Sequence, residues 1–358
     1  MAARKPARKT ARGGSRARST RSPLLIDLAL QGGGSHGAFT WGVLDRLLEE
    51  EWLQIDGVSG TSAGAMNAVV MADGLAAGGH AQARVALDAF WRRVSDAALL
   101  SPFRRGPLEI LTGRWTLDYS PMFVAMDLAA RVFSPYDLNP RDNNPLRDIL
   151  AESVDFERVS RATTKVFVNT THVRTGRGRV FRNHELTPDV LLASACLPTL
   201  FQAVEIDGEA YWDGGYTGNP TIAPLVRECK SLDTILVQIN PVERPGTPRS
   251  ANEIQNRLNE VSFNATLLKE MRAAALIRQL AGNAVSGELG LLARMRFHRI
   301  TSPMMVELGY SSKLLAEWNF FQMLRDEGRR VASQFLAEHG DDLGVRASMD
   351  LATMLDQE

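Results

Sequence analysis

The sequence predicts an α/β protein: a three-layer α/β/α arrangement with a mainly parallel central sheet, followed by a helical C-terminal extension. Three observations predict it. Short apolar runs alternate with segments of helical spacing along residues 25–240. The first two runs each end in a glycine-rich turn that opens into a helix, as happens at the carboxyl ends of parallel strands. Beyond residue 248 the pattern turns helical.

Leu25 to Leu30 is the first strand. It enters Gln31-Gly32-Gly33-Gly34-Ser35-His36-Gly37, after which Trp41, Val43, Leu44, Leu47 and Leu48 mark a helix. Leu53, Ile55 and Val58, with Gly57, form a second strand that runs into Gly60-Thr61-Ser62-Ala63-Gly64, and Ala63 to Met71 continues as helix. Ala81 to Val94 reads as another helix. Residues 101–145 are rich in Pro, Arg and aromatic residues. Within them Met122, Phe123, Met126, Leu128, Ala129, Val132 and Phe133 form a stripe that serves either as plain core or as a lid or acyl groove.

Thr164 to Thr170 is a strand, and Val190 to Ala195 is a short helix that Pro198 terminates. Ala203 to Ile206 and Glu209 to Trp212 are strands joined at Asp207-Gly208, the second delivering Asp213. Ile222 to Cys229 is helical, and Thr234 to Ile239 is an apolar strand. Ile254, Leu258, Val261, Leu267, Leu268, Met271 and Leu276 mark one late helix, and Trp318, Phe320, Phe321 and Leu324 another. The expected organisation is a basic tail over 1–22, a main domain over 23–248, and a helical extension over 249–358 that packs on the sheet or mediates dimerisation.

At 358 residues, with 44% hydrophobic and 23% charged residues, the chain has the composition of a soluble globular protein. No apolar run approaches the roughly 20 residues that span a bilayer as a helix. Cys196 and Cys229 are the only cysteines, too few for a disulfide framework or a zinc site, which fits a reducing compartment. Residues 1–22 hold eight Lys or Arg and no acid, leaving 33 basic residues against 41 acidic ones in the remainder. That tail is expected to be disordered. It reads either as an anchor to an anionic lipid surface or as a solubilising extension. It has no apolar stretch of a secretory signal, though it shares the arginine-rich composition of organelle transit peptides. The expected location is cytoplasmic, peripheral to a membrane where the tail binds one, and no specific nucleic acid is expected as a partner.

Gly60 to Gly64 reads as a nucleophile elbow, in which flanking glycines let the chain fold back and leave the Ser62 hydroxyl clear at a helix mouth. The plain alternative is a glycine turn whose serine caps the helix. Gly32, Gly34 and Gly37 satisfy G-x-G-x-x-G after a strand, so a dinucleotide site is a rival for the first loop. That reading expects an acid about 20 residues on, ending the second strand. Asp56 is the nearest, one residue before the Gly57 to Gly64 turn, which a ribose site does not need. The other reading makes the loop an oxyanion hole, with Gly33 and Gly34 offering backbone N–H groups, each such donor contributing roughly 3 to 4 kcal/mol.

A serine needs a base. Of six histidines, only His298 fits the order of a Ser-His-Asp triad, and nothing around it marks a catalytic loop. Asp213, followed by Gly214 and Gly215, is the better candidate, with a bare Asp-Gly hairpin turn as its alternative.

These residues together resemble the patatin-like phospholipase family, over roughly Leu25 to Asn240. The family pattern is a glycine-rich anion loop, a G-x-S-x-G elbow, a small A-S-x-x-x-P block and a late D-G-G or D-G-A. Here Gly32 to Gly37, Gly60 to Gly64, Ala193-Ser194-Ala195-Cys196-Leu197-Pro198 and Asp213-Gly214-Gly215 stand in that order. The resemblance implies a serine–aspartate dyad without a histidine: Ser62 as nucleophile, Asp213 as base, and Gly33 and Gly34, with Ser35 beside them, as oxyanion hole. His36 stands where relatives frequently carry Arg or Lys, which makes it a candidate head-group contact that depends on its charge.

The implied activity is cleavage of lipid acyl esters, of phospholipase A or lysophospholipase type, through an acyl-Ser62 intermediate and with no metal or cofactor. Neutral acylglycerols or a storage polyester are alternative substrates, and a lipid-binding module with inert residues is the alternative outside catalysis. An aspartate acting as base needs a pKa above its usual value of about 4. Burial beside Tyr211, Trp212 and Tyr216 is expected to supply it.

Overall fold

The structure, a computed structural model, describes residues 21–101, 103–281 and 286–354. The basic tail expected over 1–22 therefore lies almost wholly outside the described residues. Eight strands form one mixed sheet: β1 (Leu24–Leu30), β2 (Leu53–Gly60), β3 (Lys165–His172), β4 (Gly178–Arg182), β5 (Val204–Ile206), β6 (Glu209–Asp213), β7 (Asp233–Val237) and β8 (Arg296–Ile300). The order is β5-β6-β3-β2-β1-β7-β8, with β4 also on β3. The centre from β3 through β2, β1 and β7 to β8 is parallel, while β4, β5 and β6 join antiparallel.

Thirteen helices are described, namely α1 (Gly37–Leu47), α2 (Ala63–Ala97), α3 (Pro107–Leu111), α4 (Pro121–Ala130), α5 (Pro135–Leu138), α6 (Leu146–Ser153), α7 (Phe156–Ser160), α8 (Pro188–Ser194), α9 (Ala223–Glu228), α10 (Ala251–Ala281), α11 (Gly287–Arg294), α12 (Met304–Glu307) and α13 (Trp318–His339). α2 is two helices joined across a break at Gly78 and Gly79, consistent with a second helix beginning near Ala81.

The three layers follow from the two-residue period of the strands. Leu28 and Leu30 of β1, Val166 and Val168 of β3, and Ile235 and Val237 of β7 enter one core with α1, α2, α8 and α13. Ala29, Phe167 and Leu236, the residues between them, enter a second core with α9, α10 and Phe297 of β8. With both faces covered, the central strands are apolar on both sides, which is why they read as continuous runs.

The segment after residue 248 is mainly helical and is built into the fold. α13 lies along α1, and its Phe320, Phe321 and Leu324 are fully buried in the first core. The Phe321 ring meets Trp91 of α2 edge-on at 4.9 Å between centroids. The same segment contributes β8, a strand that its spacing did not predict. Arg296 and His298 interrupt the apolar alternation there, and both are partnered by Asp233 at the start of β7, whose carboxylate accepts from Arg296 Nε at 2.9 Å and lies 3.1 Å from His298 Nε2.

Most of the stripe of residues 122–133 is not core, although Phe123 packs half-buried against it. α4 buries none of its residues, and Met122, Leu128, Val132 and Phe133 are half or more exposed. Among the described residues no helix is long and apolar enough to cross a membrane.

Candidate active site

The site forms where two strands compete for one edge of β3. β4 pairs with Phe167–Thr171 of β3. β2 pairs with residues 165–168 and β6 with residues 170–172, and a strand has only two edges, so β2 and β6 share the other one. They meet end to end. Parallel β2 arrives at Gly60 opposite Val168, and antiparallel β6 runs toward it to Asp213 opposite Thr170. Two residues of strand, about 7 Å, separate these positions.

Beyond Gly60 the chain turns sharply through Ser62, whose φ of 55° and ψ of −125° lie outside the ordinary regions for a residue with a side chain. Hydrogen bonds hold the turn. Ser62 N–H donates to Ser194 Oγ at 2.9 Å, Ser194 Oγ donates to Asn169 O at 2.7 Å, and Thr61 Oγ1 donates to Gly218 O at 2.7 Å. Gly64 N–H returns to Thr61 O at 2.8 Å and starts α2.

Asp213 is 1% exposed. Burial pushes its carboxyl up to about 7, against the opposing effects of the Gly215 N–H, a hydrogen bond from the Ser62 side chain and the Lys313 charge. The Gly215 bond measures 2.7 Å to Oδ1. Asp213 is therefore a group that takes and gives up a proton near neutral pH.

The glycine loop is fastened by buried amides. Gly32 N–H donates to Asn219 Oδ1 at 2.6 Å, and Asn240 Nδ2 donates to Gly32 O at 2.8 Å. Gln31 Oε1 accepts from the N–H groups of Ile239 and Asn240, and its Nε2 donates to Asn264 Oδ1 at 3.0 Å. Gly32 presses so closely on the elbow that a Cβ there would lie 2.6 Å from Ser62 Cβ. At Gly34 the φ of 56° is what a glycine allows, and the loop then enters a short 3-10 turn over Gly34–His36. The first bond of that turn is His36 N–H to Gly33 O, so the N–H groups of Gly33, Gly34 and Ser35 precede it.

Gly33, Gly34, Ser35, Ser62 and Asp213 line one pocket of about 430 Å³, within the usual range for small-molecule sites. Its walls are otherwise mostly apolar, including Met66, Phe90, Trp91, Leu200, Phe201 and Phe263. No residue of 101–145 is among those lining the pocket, but this segment is tied to the chain beside it at two points. Leu117 N–H donates to Ser311 Oγ at 3.1 Å, beside the pocket residue Tyr310, and Gln202 Nε2 donates to Asn139 O at 2.7 Å, beside the pocket residue Phe201.

None of the six histidines lines this pocket. His298 is buried on β8 between Asp233 and Ser348. His36 is 2% exposed, hydrogen-bonded through Nε2 to Ser312 Oγ at 2.7 Å, with Phe320 against its ring. Burial holds it well below the usual histidine range, with the nearby Lys313 and Arg244 acting in the same direction. The His36 ring, a candidate head-group contact by its sequence position, is thus buried against Ser312 and Phe320 and is not among the residues lining the pocket.

The supports Gln31, Asn219, Asn240 and Asn264 and the cation Lys313 went unread in the sequence. Gln31 and Asn219 adjoin the two glycine motifs, which was a usable signal, whereas nothing around Lys313 distinguishes it. Among the described residues one group of metal-ligating side chains comes together, Asp27, Asp56 and Cys229, with ligand atoms within 4.8 Å of one another. None of the three lines the pocket, and the Lys165 ammonium already lies 3.4 Å from Asp56.

Comparison with known proteins adds four findings. The family profile described as patatin-like phospholipase matches residues 28–226. VipD from Legionella pneumophila is 16% identical, with a TM-score of 0.34 over 88% of this chain and 67% of that one. ExoU, solved in complex with SpcU from the type III secretion system of Pseudomonas aeruginosa, is 15% identical, with a TM-score of 0.28 over 93% of this chain and 76% of that one. No curated protein matches the sequence.

Proposed function

The chain belongs to the patatin-like phospholipase family, and from that premise we propose that it is a lipid hydrolase of phospholipase A or lysophospholipase type with Ser62 as its nucleophile. The observation that carries this reading is that Ser62, on its strained turn, and the buried Asp213 line one apolar pocket together with the glycine loop.

In the proposed reaction the Ser62 hydroxyl attacks the acyl carbonyl while Asp213 takes its proton. The N–H groups of Gly33 and Gly34, with Ser35 beside them, stabilise the oxyanion. Collapse of the tetrahedral intermediate breaks the ester bond, and the proton on Asp213 passes to the departing alcohol. Water, deprotonated by the same carboxylate, then attacks the acyl-Ser62 ester and releases the fatty acid, returning the proton to Ser62. One carboxylate serves both halves because a pKa near 7 lets it carry a proton in either direction. The apolar walls suit an acyl chain, and the exposed stripe of residues 122–133 supports reading 101–145 as an acyl-binding lid.

Replacing Ser62 by Ala tests the assignment. Turnover of a soluble short-chain acyl ester and of phospholipid vesicles is expected to vanish while the circular dichroism spectrum is unchanged. Residual turnover at the parent rate would exclude Ser62 as nucleophile.

A further inference from the structure

The pocket is lined by one cationic side chain and one anionic one, Lys313 and Asp213. Lys313 comes from the short 3-10 turn Ser311–Leu314, beyond the segment that the family profile matches. That turn is packed on the glycine loop. The Lys313 carbonyl closes against Gly34 so tightly that no Cβ fits between them, and the next residue back, Ser312, holds His36.

The ammonium is fixed but not neutralised. Nζ donates to Asn240 Oδ1 at 2.7 Å, and Asn240 in turn donates to Gly32 O, so the charge is tied to the loop that precedes Ser62. An ammonium has three donors, and this partner is a neutral amide. The two acids that act on it through space are committed elsewhere. Glu260 is bound by Arg244 at 2.7 Å and Arg257 at 3.3 Å, and Asp213 by Gly215 and Ser62. Lys313 is half-buried, and the burial draws its ammonium down to about 8, with Glu260 and Asp213 opposing. A charge drawn partly out of water is stabilised by a partner. Among the described residues no carboxylate forms an ion pair with Nζ, so an anionic group of a ligand in the pocket can supply one.

We propose that Lys313 is the anion-recognition residue of the pocket, pairing with the phosphate that adjoins the scissile ester, so that phosphate-bearing acyl lipids are preferred over neutral ones. The proposal rests on the reading of the pocket as a lipid-ester site. It gives the neutral His36 no part. A charge-assisted contact of this kind adds affinity for the phosphate without touching the acyl chain.

The test uses two ligands that cannot be hydrolysed at an acyl ester, monodecyl phosphate and 1-O-decylglycerol, bound to the full chain below their micellar concentrations and measured by calorimetry. The expected result is that the parent protein binds the phosphate at least about tenfold more tightly than the glycerol ether, and that Lys313→Met removes this preference while leaving ether binding within about twofold. Lys313→Arg, which keeps the charge, should retain the preference. Unchanged ether binding reports an intact pocket. Loss of both ligands in Lys313→Met together with Lys313→Arg assigns the residue to structure and overturns the proposal. So does a preference that persists in Lys313→Met or is absent from the parent. Inorganic phosphate is the remaining arm: if it binds as tightly as monodecyl phosphate, the ligand is free phosphate and the lipid assignment fails. Because binding is read without turnover, a wrong nucleophile shows in the Ser62→Ala kinetics and not here.

Discussion

The backbone N–H of Ser62 donates to the hydroxyl of Ser194 at 2.9 Å, and that hydroxyl donates to Asn169 O at 2.7 Å. Ser194 ends α8 and is fully buried, so it supplies the partner that the strained elbow cannot find in its own helix. Ser194→Ala leaves a buried N–H and a buried carbonyl without that partner, at about 1–3 kcal/mol. The expected outcome is a lower urea midpoint together with at least a tenfold fall in kcat. A large loss of stability with full activity would show that the elbow keeps its geometry without Ser194.

The pH dependence follows from Asp213. Its folded-state value of about 7 means that the carboxyl is protonated, and unable to act as base, below that pH. The kcat/KM for a neutral soluble ester is therefore expected to rise with pH through about 7 and level off above it. Asp213→Asn should remove the activity itself. A profile flat from pH 5 to 8 in the parent protein speaks against Asp213 as the titrating base.

Asp27 sets a separate dependence, on stability. It is fully buried in β1, and burial, with Asp56 adding repulsion, pushes it up to about 8. The unfolded chain loses this proton near 3.8 and the folded one near 8, so the folded state binds more protons between those values. Stability from this group is present at low pH and is lost as pH rises through that window. Asp27→Asn keeps the shape without the charge and should raise stability at pH 9 by about 2–5 kcal/mol relative to the parent, with the gain shrinking as pH falls toward the unfolded value of 3.8. Thermal melts across pH would register this, and parallel curves for the two proteins would contradict it.

The exposed stripe on and after α4 gives a prediction in the opposite sense. Met122→Ser and Leu128→Ser remove side chains that are 50% and 57% exposed, so each should change stability by no more than about 0.5 kcal/mol. Activity on long-chain vesicles should fall severalfold while activity on a soluble short ester is kept. Equal activities on both substrates would leave the lid reading without a role. Phe320→Ser on α13, fully buried, is the control and should destabilise by about 3 kcal/mol or more.

Much of the fold was legible because its signals are local. β1, β3 and β7 are buried along most of both faces and β2 from Gly57 onward, so their limits read to within a few residues. β8 was not legible, because Arg296 and His298 look like surface residues until Asp233 is brought beside them. The stripe of residues 122–133 has helical spacing, and spacing does not say which face a neighbour covers. His36 has the same limit: the burial that holds its pKa down, with Lys313 and Arg244 acting alongside, comes from residues more than two hundred positions away.

The order of the motifs, the strand–turn–helix around Ser62, the glycine loop before it and the acid at the end of a strand were determined by the sequence alone. Each depends on residues within about ten positions of one another. That Ser62 and Asp213 meet was decided only by the tertiary structure: β4 occupies one edge of β3, so β6 must share the other with β2 and end where β2 ends. That a lysine stands beside them was decided there too, by the packing of the Ser311–Leu314 turn on Gly34. Edge availability and close approach belong to the assembled sheet, and no local spacing encodes them.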